Sequence, residues 1–239
     1  MQLSNATTLN AHIPVNCMMP IGPFSSLTGE ARQRFESMGM EKAYTRGDNL
    51  FVAGQMPGFV YILESGRVKL SVTSRDGKNM ILRIAEAGDV LGLSCALNSS
   101  EYEISAEAVE YCRVKTIRSF EFVEFLKKYT AAAMEATQCL LQEHRYMFKD
   151  VCRLGLPTTV AGRLANLLLD WRERRVQSGK AAEPRLTVTL TQEEIAGMTG
   201  TTRETVSRVL HQFQRDKLIS IKGAFLTVLQ PKALEQLAI

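Results

Sequence analysis

Between Tyr44 and Ile117 apolar and polar positions alternate in short runs rich in β-branched and aromatic residues. The runs are Asn49 to Ala53, Phe59 to Glu64, Arg67 to Thr73, Met80 to Ile84, Val90 to Leu91, Ile104 to Ala108 and Cys112 to Ile117. Glycines at 47, 54, 66, 77, 88 and 92 fall between them or at their edges. Short strands punctuated in this way predict an antiparallel sandwich or barrel. Arg75-Asp76-Gly77-Lys78 predicts a hairpin, because Asp-Gly supplies the positive φ that a tight turn requires. Ahead of these strands a helix is expected near Thr28 to Met38, and residues 1–26 read as a mobile or loosely packed arm.

At Thr130 the period changes. Up to Arg153 there is no Gly or Pro, and Ala, Met, Leu, Glu and Gln dominate, which is helical composition. At about 1.5 Å per residue the helix would be roughly 36 Å long. Met134, Leu141 and Phe148 recur at every seventh position, with Thr137, His144 and Val151 between them, the pattern of a coiled-coil seam. A helix packed only on its own barrel is the alternative. Gly155 suits a carboxyl-terminal cap, Leu156-Pro157 ends the helix, and Thr158 or Thr159 can cap another helix through about Arg175. Gln177-Ser178-Gly179-Lys180 reads as the loop that closes it.

Thr191-Gln192-Glu193-Glu194 is a capping box, with Leu190 placed to staple onto Ile195. The helix it starts stops at Met198-Thr199-Gly200, and Thr202 starts a second helix running to about Arg215. On the second helix Val206, Val209, Leu210 and Phe213 share one face, and Arg203, Glu204, Ser207 and Arg208 lie opposite. Two guanidiniums, a carboxylate and a hydroxyl match base edges in a major groove, since Arg can grip guanine O6 and N7 and a carboxylate can accept from cytosine N4. His211, one turn on, would touch phosphate, and the capping residues Thr191 and Thr202 complete the DNA-binding set. Leu218 to Ile221 and Phe225 to Val228 flank Lys222-Gly223-Ala224 as a hairpin, which makes a winged helix-turn-helix.

Charge sharpens this division. Of the 239 residues, 29 are Lys or Arg and 25 are Asp or Glu. Residues 1–154 hold 17 of each, so the whole excess of +4 falls in residues 155–239, with 12 basic and 8 acidic residues. A neutral body joined to a basic end suits a sensing or scaffolding body with an attachment for a polyanion. The chain is thus expected to be α+β, with an arm at 1–26, an effector-sensing β-barrel at 27–128, a dimerisation helix at 129–155 and a winged helix-turn-helix at 156–239. No apolar run nears the roughly 18 residues of a membrane span, and no basic residue precedes an apolar core at the amino terminus, so a cytoplasmic protein without membrane contact is expected. The five cysteines form no CxxC pair, which argues against a disulfide framework.

The order of barrel, long helix and winged helix-turn-helix, with LTQEEIAGMTGTTRETVSRVLHQFQRDKLISIKG near the end, resembles the CRP/FNR family of bacterial transcription regulators over about Phe24 to Ala238. In Arg203-Glu204-Thr205-Val206-Ser207-Arg208 the Glu and final Arg are similar to both named branches, the leading Arg to the cyclic-AMP receptor branch and the Ser to the FNR branch. The resemblance implies a cyclic-nucleotide-binding-like jelly roll and a homodimer docking two recognition helices in successive major grooves of a near-palindromic site. It also implies half-sites like TGTGA or TTGA, contacts with RNA polymerase, and allosteric control through the barrel.

The effector pocket that the resemblance implies falls on Gly88, Gly92, Leu93, Ser94, Tyr102 and Glu103. Gly88-Asp89-Val90-Leu91-Gly92 matches the approach to a cyclic nucleotide, but Leu93 stands where a ribose-binding Glu is expected, and Tyr102-Glu103 where Arg-Ser is expected. A buried phosphate without its cation is costly, which argues against cyclic AMP in the usual mode. Only Cys17 lies in the arm, against the three closely spaced cysteines of an iron-sulfur cluster. Haem is left open only through His144, which reads better as a polar residue of the helix seam. Thiol sensing by Cys95, Cys112, Cys139 or Cys152 competes with burial as a small hydrophobe, and the effector stays unidentified. Catalytic machinery is missing from the sequence: no histidine lies between 13 and 143 to make a cupin-like metal site, and there is no phosphate-loop GKS or GKT. Gly92-Leu93-Ser94-Cys95-Ala96 lacks the second glycine of a nucleophile elbow. A ligand-binding module without DNA binding is the remaining alternative.

Overall fold

The computed structural model describes residues 22–77, 79–177, 185–187, 190–223 and 225–238. In chain order the amino-terminal body comprises α1 (Gly29–Ser37), β1 (Met40–Tyr44), β2 (Asn49–Phe51), β3 (Phe59–Ser65), β4 (Arg67–Thr73), β5 (Asn79–Glu86), β6 (Val90–Leu91), α2 (Leu93–Asn98), β7 (Ser105–Ala108), β8 (Cys112–Arg118) and α3 (Ser119–Lys128). The long helix α4 (Thr130–Gly155) leads to α5 (Val160–Gln177), β9 (Arg185–Thr187), α6 (Gln192–Thr199), α7 (Arg203–Arg215), β10 (Ile219–Lys222), β11 (Phe225–Val228) and α8 (Pro231–Leu237).

Two antiparallel four-stranded sheets, ordered β1-β8-β3-β6 and β2-β7-β4-β5, form the body. The pleat of β4 and β7 turns Val68, Leu70, Ala106 and Ala108 inward to meet Leu63 and Val114 of the facing sheet. The sheets are not closed, so the expected barrel is a two-sheet jelly roll. The edges are β1 and β6 in one sheet and β2 and β5 in the other, and no strand pairing joins the two sheets among the described residues. The expected hairpin joins β4 to β5 with Thr73 opposite Asn79; Gly77 sits at φ +80°, and residue 78 lies outside the described residues.

The expected loose arm needs correction where it can be seen. Phe24 and Leu27 are 2% and 1% exposed, and the Phe24 ring lies 4.9 Å from Phe35 and 5.5 Å from Phe122. Residues 22–26 are therefore anchored by aromatic packing; residues 1–21, with His12 and Cys17, lie outside the described residues.

Helix α4 lays Ala132, Ala136, Cys139 and Leu140 on the body, where small side chains allow close approach. Gly155 is not the left-handed cap expected of it: the helix continues through it, and Leu156, in the right-handed region, donates its amide to Cys152 O. Pro157 then prevents continuation. Thr159 Oγ1 accepts the Gly162 amide at 3.0 Å and starts α5, whose expected closing loop at 178–180 lies outside the described residues. Helices α5 to α8 share one core with the wing strands, built on Leu164, Leu168, Ile195, Met198, Val206, Phe213, Ile219 and Leu226. The wing sheet has a third strand, ordered β10-β11-β9, and β9 was not expected. Ile81 and Ile84 of β5 join this same core, so the jelly roll and the carboxyl-terminal unit are packed together. Among the described residues no helix is long and apolar enough to cross a membrane.

Candidate nucleic-acid interface

The recognition unit is built from its caps. Thr191 Oγ1 accepts the Glu194 amide at 3.1 Å, while Glu194 Oε2 accepts the Thr191 amide at 2.7 Å, so both halves of the capping box are made. Leu190 packs partly buried on the core that holds Ile195, as a staple should. Helix α6 ends at Gly200, φ +60°, a conformation glycine adopts without strain. Two residues later Thr202 Oγ1 accepts the Thr205 amide at 3.3 Å and opens α7.

Val206, Val209, Leu210 and Phe213 of α7 are buried, which fixes the rotation of the helix about its axis. That rotation leaves Arg203, Glu204, Arg208 and His211 exposed and Ser207 half-buried on the outward side. The sequence places all five on one face, and the structure brings them together. Glu204 is held below the ordinary carboxylate range by its own backbone amide and the Thr202 hydroxyl, so at neutral pH it is an acceptor. His211 Nδ1 lies 2.8 Å from Ser207 O; a carbonyl only accepts, so Nδ1 carries the proton.

A contact invisible in the sequence sets the turn between the two helices. Arg163 of α5 donates from Nε to Thr199 O at 2.7 Å, and Thr199 is fully buried. The cation therefore satisfies a carbonyl at the carboxyl end of α6, where the helix dipole favours positive charge. Thr199 Oγ1 donates to Ile195 O at 2.8 Å.

The seam residues lie along the side of α4 away from the body. Met134, Leu141, Phe148 and Val151 are 58%, 57%, 65% and 69% exposed, and Thr137 and His144 are exposed between them. One face of the helix is thus packed on its own body while the heptad face is bare.

The effector residues divide. Gly88 and Gly92 take φ +99° and +75° in the turn and cap around β6 and α2. Leu93 and Tyr102 point into the body, whereas Ser94 and Glu103 are exposed. Tyr102 donates to Phe59 O at 2.8 Å and stacks on Phe51 at 4.1 Å; Tyr61 beside it donates to Leu50 O at 2.8 Å. Burial holds both phenols above their ordinary range. Aromatic rings therefore occupy the sheet interior next to Gly92.

Two of the thiols are shifted by their surroundings. Cys95 and Cys112 are buried, and burial pushes the Cys112 thiol up. Burial, with Glu135 and Asp89 nearby, pushes Cys139 up to about 11. Among the described residues no group of His, Cys, Asp and Glu is placed to hold a metal ion.

Sequence reasoning also missed the joint between body and long helix. Arg83 is 6% exposed, pairs with Asp89 at 2.8 Å and lies under the Tyr146 ring of α4 at 4.5 Å. Arg153, near the end of α4, donates to Leu82 O at 2.8 Å and pairs with Asp150 at 3.0 Å. The contacts that join the two elements, Arg83 with Tyr146 and Arg153 with Leu82, link residues far apart in sequence and leave no local signal.

A two-sheet jelly roll, a long helix with a bare heptad face and a winged helix-turn-helix follow one another along the chain. The cyclic nucleotide-binding domain matches residues 41–129, and the Crp-like helix-turn-helix domain matches residues 162–237. The fumarate and nitrate reduction regulatory protein of Escherichia coli (strain K12) is 28% identical over 216 residues, 90% of this chain and 85% of that protein. The nitrogen fixation regulation protein FixK of Bradyrhizobium diazoefficiens is 25% identical over 230 residues, 96% of this chain and 95% of that one. In fold, the structure of FixK2 from Bradyrhizobium japonicum superposes with a TM-score of 0.74 at 22% identity, covering 84% of this chain and 98% of that one. The chain belongs to the CRP/FNR family and is a DNA-binding transcription regulator of that type.

Proposed function

We propose that the protein is a cytoplasmic homodimer that docks two copies of α7 in successive major grooves of a near-palindromic site, with half-sites like TGTGA or TTGA. The observation that carries this is the outward face of α7, where Arg203, Glu204, Ser207 and Arg208 stand together on a helix whose opposite face is buried. Arg203 and Arg208 would read guanines, Glu204 would accept from cytosine N4, and His211, Thr191 and Thr202 would meet phosphates. The bare seam of Met134, Leu141, His144, Phe148 and Val151 supports the pairing, because apolar side chains at heptad spacing are stabilised by a second copy. The dimerisation helix at 129–155 joins a sensing domain at 27–128 to the reading domain at 156–239. A signal received near Gly88, Gly92 and Tyr102 would move α4 through Arg83 and Tyr146, and so change the separation of the paired α7 helices. RNA polymerase is the further partner that the family implies, and the protein acts by binding without catalysing a reaction. A gel shift with genomic fragments at rising salt tests the reading: retention of discrete fragments that weakens steeply with salt is expected, and indifference to every fragment at low ionic strength refutes it.

A further inference from the structure

His144 stands in the middle of the bare face of α4, and no carboxylate of the helix shares that face with it. Helix neighbours face one another three and four positions apart, and for His144 these are Leu140, Leu141, Met147 and Phe148, all apolar. The three carboxylates of α4 are turned toward the body or toward its own cation. Glu135 is buried and accepts the Ser26 hydroxyl, half-buried Glu143 interacts with the charges of Arg83, Asp89 and Glu103, and buried Asp150 pairs with Arg153. Arg145, exposed beside His144, adds positive charge to the seam side.

Twofold pairing along this face sets His144 against His144 of the partner subunit, because a residue on a parallel heptad seam lies opposite its own copy. Leu141 and Phe148 then close the layer on either side. The charged groups facing each imidazole are the other imidazole and the Arg145 guanidinium of each subunit. An imidazole changes charge between pH 5 and 8, and two cations shut into an apolar layer without a counter-ion lose their water and repel each other. We propose that His144 is a proton-operated release for the dimer: neutral imidazoles let two α4 helices pair, and protonation parts them. The proposal rests on the homodimer reading and adds the condition under which the dimer is lost. Its sign follows from proton counting. The dimer binds fewer protons than two free subunits, so pairing is complete above the imidazole range and weakens as pH falls through it. A palindromic site needs both copies, so acid would release the DNA.

The test is sedimentation equilibrium of the full-length protein without DNA at about pH 8 and about pH 5.5, with circular dichroism to confirm that it stays folded. DNA is left out because protonation of the exposed His211 would strengthen a phosphate contact and mask the loss. The dimer dissociation constant should rise about ten- to a hundredfold from the higher pH to the lower. His144→Leu should hold the dimer equally tight at both, and His211→Gln should behave as the unsubstituted protein. His144→Arg reads the same charge without acid and should weaken the dimer at both. Equal dimerisation of the unsubstituted protein at the two pH values overturns the proposal, as does a tight dimer of His144→Arg or a loss in acid that His144→Leu does not abolish. A monomer at the higher pH also overturns it, and if His144→Leu is monomeric there as well, the homodimer reading fails with it.

Discussion

Arg163 and Thr199 are 36 positions apart and meet at 2.7 Å, guanidinium to carbonyl, at the point where the first recognition-unit helix gives way to the second. Without the guanidinium, a fully buried carbonyl loses its donor. Arg163→Met should therefore destabilise the carboxyl-terminal unit by about 1–3 kcal/mol, read as a lower urea midpoint. Because the bond also sets the angle of the turn, the ratio of specific to non-specific DNA affinity should fall even under conditions where the variant is fully folded.

Arg203→Ala and Arg208→Ala should each cost about 1–3 kcal/mol of binding and relax preference at one base pair per half-site. His211→Ala should weaken all sequences alike. Titrations against a panel of singly substituted duplexes distinguish the two behaviours.

Replacing Leu141 and Phe148 by Glu puts charge on a face where the native side chains are more than half exposed in the single chain. The stability of each subunit should hardly change, but the sedimenting mass should fall from about twice 26.6 kDa to one subunit. Affinity for a full palindromic site should fall to that for a half-site.

Cys139 should be unreactive toward iodoacetamide near neutral pH, since its thiol is pushed up to about 11 by burial and neighbouring carboxylates. The sign for stability follows from the same shift. The folded thiol holds its proton more tightly than an unfolded one near 9, so this contribution is complete below about pH 9 and is lost as pH rises toward 11. Rapid alkylation of Cys139 at pH 7 would contradict the environment described.

Gly66 joins β3 to β4 at φ +89°, and a Cβ there would overlap Tyr111 O and come within 2.7 Å of Cys112 Sγ. Gly66→Ala should destabilise the jelly roll by more than about 2 kcal/mol, because an unfavourable backbone conformation adds to a backbone clash. A drop in the thermal midpoint of the body checks it.

The reading unit was legible in the sequence because its determinants are local. Thr191 and Glu194 are three residues apart, Thr202 and Thr205 likewise, and the buried face of α7 repeats with the helical period. The body was legible as alternating strands, which the sequence leaves as a sandwich or a barrel and the structure resolves into two open sheets. Helix α3 went unread because Phe120, Phe122 and Phe125 look like strand residues when taken one at a time. In the sequence Phe24 reads as part of a loose arm because its partners, Phe35 and Phe122, are distant in the chain. Gly155 reads as a cap by residue type, but Pro157 stops the helix without a left-handed residue. Arg163–Thr199 and Arg83–Tyr146 share a cause of invisibility: each is made only when separate elements dock.

Selection of duplexes from a random pool by the purified protein, followed by sequencing, tests paired groove reading most directly. The account predicts an inverted repeat whose half-sites each carry a G·C pair facing Arg203 or Arg208, with centres about 10 base pairs apart. Enrichment of an unrepeated motif, of half-sites without that pair, or of no motif at all would contradict it.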